Sequence, residues 1–166
     1  MSTTVAAPTR TLRPDDIFFP AMAVLILVIV VTGFGQSYFL AGMIRAKLPN
    51  ALVHIHGAIF TIWIFFFLFQ TSLVAAHRVK LHMALGIVGV ILPPLMLILR
   101  VLTLMDSIRR AQLDIPPELI LVGDLENLLL FIVLTTWALL ARRDPASHKR
   151  LMILGTMAIL GPAIDR

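Results

Sequence analysis

Four stretches of this chain are apolar for longer than 20 residues each: Ile17 to Leu40, Ala51 to Ala76, His82 to Met105 and Leu119 to Ala141. A helix rises 1.5 Å per residue, so about 20 such residues cross the hydrocarbon core of a bilayer. In lipid the backbone must satisfy its own hydrogen bonds, which leaves helices or closed barrels. The two-residue alternation of a barrel strand is absent. Composition agrees: 59% of the residues are hydrophobic and 14% charged, where a water-covered domain carries about 25% charge. The mean hydropathy is +0.96. The expected fold is therefore an all-α integral membrane bundle with four full spans, and its solvent is the lipid bilayer.

A fifth run, Leu151 to Ile164, covers only about 21 Å as a helix and contains Gly161-Pro162. It reads as a partial span over about 149–164, either a re-entrant half-helix or a helix cut short. The second reading is preferred, with the natural chain expected to continue past Arg166. Residues 1–16, with Pro8, Arg10, Arg13 and Pro14, read as a disordered polar tail ahead of a transmembrane domain over 17–166. The loops are short, so neighbouring helices should run antiparallel. Orientation follows from Lys and Arg. With the N-terminus inside, the inner segments hold Arg10, Arg13, Arg78, Lys80, Arg142, Arg143, Lys149 and Arg150, against Arg45, Lys47, Arg100, Arg109 and Arg110 outside. That balance favours a cytoplasmic N-terminus.

The net charge of +5 comes from short clusters between apolar runs. It is membrane-flanking charge rather than a nucleic-acid face. The chain has no cysteine, which removes disulfides, thiolate metal sites and iron–sulfur ligation. No phosphate loop, nucleophile elbow, His-Glu-x-x-His or EF-hand pattern occurs, so hydrolysis has no candidate constellation and an enzymatic role stays open.

Positions three, four and seven apart share a helix face. The third span then carries a stripe of His82, Gly86, Gly89, Pro93, Met96 and Arg100, opposite Ile87, Ile91, Leu95 and Ile98. Small residues suit close helix contact and bulky aliphatics suit lipid, so His82 and Arg100 should point inward at opposite ends. Pro93-Pro94 should kink this helix. The second span gives His56, Trp63, Gln70 and His77, with His54 turned away from His56. The fourth gives Asp124, Asn127, Phe131 and Thr135, with Glu126 off the stripe. The fifth gives His148, Met152, Gly155 and Ile159, and the first offers Thr32, Gly33 and Gln36. Sorted by depth, His54, His56, Arg100, Asp124 and Glu126 gather at the outer end, and His77, His82 and His148 at the inner end.

Two constellations carry chemistry. Ionisable groups within a span are costly and face a partner, so Arg100, Asp124, Glu126, Asn127 and Gln70 form a candidate polar core. It serves either as a proton or cation site or as an ion pair joining the third and fourth helices. His82 and His148 are candidate axial ligands of a b-type haem, which needs two imidazoles from facing helices and room for a flat ring. Gly86, Gly89 and Gly155 on the same stripes would supply the room. The plainer alternative is interfacial histidines beside glycines that let helices pack. His54 and His56 are weaker metal candidates with Asp124, since two histidines at i, i+2 diverge on a helix.

The phrases His54-Ile-His56-Gly57, Gln70-Thr-Ser-Leu-Val-Ala-Ala-His77, His82-Met-Ala-Leu-Gly86, His148-Lys-Arg-Leu-Met152 and Leu160-Gly-Pro-Ala-Ile164 resemble an uncharacterised family of bacterial polytopic inner-membrane proteins. The resemblance covers the second to fifth helices. It implies the bacterial inner membrane, and further helices beyond this point. The phrases around His82 and His148 are also faintly similar to transmembrane b-type cytochromes. That similarity implies haem ligation by His82 and His148, with His56 as a possible second-site ligand. A di-haem pattern would also want a histidine on the fourth helix, and this chain has none there. Two function classes follow: an electron-transfer membrane protein with one b haem, or a non-enzymatic subunit or small transporter built on the polar core. Membrane-protein partners or self-association leave no signal of their own.

Overall fold

A computed structural model describes residues 13–35, 40, 51–110 and 117–164, with backbone alone for 117–124. The chain is an all-α membrane bundle: α1 (Pro14–Phe34), α2 (Ala51–Ala75), α3 (Val79–Arg110), α4 (Pro117–Leu140), α5 (Pro145–Ala158) and the short α6 (Gly161–Ile164). By length and composition α1, α2 and α3 can each cross a membrane, and α4 carries the shorter apolar stretch Leu125–Leu140. The expected N-terminal tail up to residue 12, Gln36, the loop with Arg45 and Lys47, and the Asp124 side chain lie outside the described residues.

The helix boundaries have local causes. α1 opens at Pro14, three residues before its apolar run, because proline tolerates the first helical position. The Asp16 carboxylate there accepts the Arg13 backbone N–H at 3.1 Å. Residues 14–16 thus belong to the helix and not to the tail expected from their polarity. α2 ends in a tight cap. His77 adopts φ 58°, its N–H donates to Val74 O, and the Arg78 N–H donates to Leu73 O, both at 2.8 Å. This is the Schellman arrangement with a histidine in the left-handed position usually given to glycine. α5 begins at Pro145, with the Asp144 carboxylate accepting from Ala146 N at 3.0 Å and from the Ser147 hydroxyl at 2.5 Å.

Two differences from the sequence expectation stand out. α3 is helical over Val79–Arg110 and continues through Pro93 and Pro94. It is therefore longer at both ends than its apolar run. The fifth run is not one helix: α5 stops at Ala158 and a turn through Ile159 and Leu160 leads into α6. Proline cannot donate to the preceding turn, so Gly161-Pro162 starts a new helix more readily than it extends an old one.

The core is a seam of large side chains. Trp63 is fully buried and donates through Nε1 to Thr156 Oγ1 at 3.3 Å, joining α2 to α5. Its ring meets Phe131 of α4 edge-on, with centroids 5.1 Å apart. Ile64, Phe67, Leu92, Met96, Leu128, Ile153 and Leu160 pack around this pair, with Ala23 and Ile26 from α1. The opposite faces point to lipid: Ile87, Ile91 and Ile98 on α3 are all more than half exposed. In a bilayer that exposure is the expected resting place of a branched aliphatic. On α4 Phe131 and Thr135 face inward as the stripe predicts.

α1 and α6 meet at backbone contact. A Cβ added at Gly33 would lie 2.0 Å from the Ala163 carbonyl oxygen, so only a residue without a side chain fits there. Thr32, by contrast, is exposed and returns its hydroxyl to Val28 O within its own helix.

Candidate functional site

The site is assembled by a register that two contacts establish. Trp63 of α2 meets Thr156 of α5, and the two helices run in opposite directions. Seven residues further along α2 is Gln70, and seven back along α5 is Lys149, beside His148. On α3, His82 sits just past the α2–α3 turn, with the Gln70 backbone beside its ring. Gln70, His82 and His148 therefore occupy one level of the bundle, on three different helices.

His82 and His148 are in contact. Their ring centroids are 6.2 Å apart and their planes cross at 77°. Both residues are part-buried. The His148 Nδ1 lies 2.7 Å from the Ala138 carbonyl oxygen of α4. A carbonyl only accepts, so Nδ1 carries the proton and Nε2 is left with its lone pair. The local reason is geometric: Ala138 is in the last turn of α4, where carbonyls lack a partner four residues on. The hairpin capped by Asp144 swings His148 back onto that orphaned oxygen. His82 differs, because its Nδ1 is buried and has no hydrogen-bond partner. The Gln70 amide is likewise buried at 7% exposure, with neither Oε1 nor Nε2 bonded.

The same end of the molecule is tied together by ion pairs. Lys149 pairs with Asp15 and lies 5.1 Å from the centroid of the Phe19 ring. His77 Nε2 stands 3.7 Å from the Asp16 carboxylate. These contacts fix the start of α1 beside α5 and the α2–α3 turn. Asp144, outside the spans, is held below the ordinary carboxyl range by the Ser147 hydroxyl and then the Ala146 N–H.

The glycines expected to open space next to the histidines divide. A Cβ at Gly86, one turn beyond His82, would meet nothing within 4 Å. At Gly89 it would lie 3.3 Å from the Phe66 ring, and at Gly155 it would lie 3.1 Å from Thr135 Cγ2 and 3.3 Å from Leu134 Cβ. Gly86 leaves room, whereas Gly89 and Gly155 serve helix packing.

The remaining candidates lie elsewhere on the helices. Glu126 is exposed on α4, and Asn127 is exposed near Gly161. Arg100 is half-buried far along α3, and Gln70 belongs to the histidine level rather than to Arg100. His54 is exposed, while His56 is half-buried and stacks on Phe60 with centroids 4.3 Å apart. His56 lies fourteen residues, about 21 Å of helix, from the Gln70 level. Among the described residues no three His, Cys, Asp or Glu side chains converge on a metal position.

Sequence reasoning missed the Ala138 carbonyl, Thr156 and the Asp15 and Asp16 contacts. The first was findable in principle, since a tight hairpin brings a histidine back to a helix end that needs a donor. The others depend on which helices are neighbours. With the fold and this geometry in hand, comparison with known proteins finds no matching family model, curated protein or solved structure.

Proposed function

We propose that this chain is an electron-transfer protein of the bacterial inner membrane that holds one b-type haem through His82 and His148. The observation that carries the reading is their pairing across α3 and α5. A haem iron would need an imidazole from each of two facing helices, and these two rings stand 6.2 Å apart by their centroids. The protonated Nδ1 of His148 on a backbone carbonyl, a usual way to orient a ligating ring, and the open space beside Gly86 support the same reading.

When bound, the haem supplies one-electron exchange at its iron. The protein's own part is to hold the two imidazoles and to set the ligands' basicity through their outer hydrogen bonds. Only one haem is proposed, because α4 carries no histidine to pair with His56 at a second site. The cytoplasmic side is assigned to the histidine end. Arg13, Arg78, Lys80, Arg142, Arg143, Lys149 and Arg150 all flank the spans there, and the excess of basic residues on the cytoplasmic side of membrane proteins supports this reading. The alternative is a transporter or subunit built on Arg100, Asp124 and Glu126, with Glu126 exposed on α4.

The test is a dithionite-reduced minus oxidised visible spectrum of the detergent-purified protein, expressed with adequate haem. A reduced b-type band that disappears in both His82→Ala and His148→Ala is expected. A folded, haem-supplied wild-type protein without any such band refutes the reading.

A further inference from the structure

We propose that the Gln70 side chain is a positioning residue for His82: its Oε1 accepts the His82 Nδ1–H and holds the ring with Nε2 free. The inference rests on the paired-histidine reading for its functional meaning. Its evidence, however, is the burial and register of the two side chains.

Three observations converge. First, Gln70 and His82 share one level of the bundle, and the Gln70 backbone carbonyl lies within hydrogen-bonding reach of the His82 ring. Second, both side chains leave polar atoms buried without a partner: Nδ1 of His82, and both amide atoms of Gln70. Burying one orphaned polar group is costly, and two neighbouring ones are satisfied together by a single hydrogen bond. The last torsion of a glutamine is broad and soft, so its amide can reorient without leaving a rotamer well. Third, the pair is asymmetric. His148 has its Nδ1 fixed by Ala138 O at 2.7 Å, while the His82 Nδ1 has no partner at hydrogen-bond geometry and only the Gln70 backbone carbonyl nearby. Ligating histidines almost always donate their other N–H to an oxygen. Gln70 offers an amide oxygen on the inward face of α2, on the stripe that also buries Trp63, Phe67 and Leu73.

The chemistry gives the proposal a sign. An acceptor on Nδ1–H makes the imidazole a stronger donor at Nε2, which favours the more oxidised metal. Leucine at position 70 removes that effect, and a carboxylate increases it. A residue that only filled space would move neither the tautomer nor the potential.

The decisive experiment uses full-length protein labelled with 15N-histidine, purified in detergent without haem, with the His82 resonances assigned by their loss in His82→Asn. His82 is expected in the Nδ1–H form. Gln70→Leu should shift it toward a mixture with the Nε2–H form, and Gln70→Glu should retain Nδ1–H. Gln70→Met is the second apolar variant if Gln70→Leu does not fold, with helical circular dichroism as the check. In haem-loaded protein the midpoint potential should rise in Gln70→Leu and fall in Gln70→Glu. An Nε2–H wild type, or a tautomer unchanged by both apolar variants, overturns the proposal; the second result makes the Gln70 backbone carbonyl sufficient. Absence of a haem band would refute the function proposed above, while the tautomer measurement would still decide the role of Gln70.

Discussion

Replacing Gly33 by alanine should separate α1 from α6, although alanine is the better helix former. The new Cβ would stand 2.0 Å from the Ala163 carbonyl oxygen, 2.8 Å from its carbonyl carbon and 2.9 Å from its Cα. A carbon–oxygen contact needs about 3.3 Å, so the two backbones must withdraw by about 1.3 Å. Neither is the far end of a flexible side chain, and a backbone shift of this kind costs about 1–3 kcal/mol. The close carbonyl contact itself is also weakened, at about 0.5–1 kcal/mol. Against this, alanine gains about 0.8–1 kcal/mol over glycine inside a helix. The net expectation is destabilisation of about 1–3 kcal/mol. Gly86→Ala provides the control, because a Cβ there meets nothing within 4 Å and only the propensity gain remains. The assay is unfolding in mixed detergent followed by helical circular dichroism, comparing both variants with the parent. If Gly33→Ala proves as stable as Gly86→Ala, then α6 does not press on α1 and the packing argument fails. The result bears on function as well, because α6 and the α5 that carries His148 are consecutive elements.

Two further expectations follow from the same contacts. Trp63→Ala should cost about 3–5 kcal/mol by emptying the seam between α2, α4 and α5. Trp63→Phe should cost clearly less, since Thr156 keeps its bond to Met152 O at 2.9 Å; equal losses in detergent unfolding would show that the ring volume is not what matters. Asp144 supports the start of α5 in its ionised form, and its pKa in the folded protein is depressed, first by the Ser147 hydroxyl. A depressed carboxyl pKa contributes stability above the unfolded value, and that contribution is lost as pH falls through the folded one. Unfolding followed against pH should therefore show an acid-side loss in the parent that is reduced in Asp144→Ala. The same acid slope in both would assign the loss to another carboxylate.

The amino-acid sequence by itself determined the solvent, the fold class and the faces. Run lengths required spanning helices because a bilayer offers no water to an open backbone. Helical periodicity then separated Trp63, Gln70, Met96 and Phe131, which are buried, from Ile87, Ile91 and Ile98, which face lipid. It also sorted His82 and His148 to one end. What it did not contain was adjacency. A stripe states which way a side chain points, not which helix stands opposite. The same apolar surface would have let α5 pack elsewhere, because lipid and protein are equally apolar to a leucine and only shape and a few polar contacts choose between neighbours. Those choices are tertiary: Trp63 on Thr156, Gly33 against Ala163, and the α4–α5 hairpin that lays His148 on the Ala138 carbonyl. They also settled which glycines leave space. Gly155 and Gly86 look alike in the sequence, yet Thr135 closes on one and nothing closes on the other. Two histidines at the same depth became a pair with a defined spacing only when the packing of α3 and α5 brought their rings together.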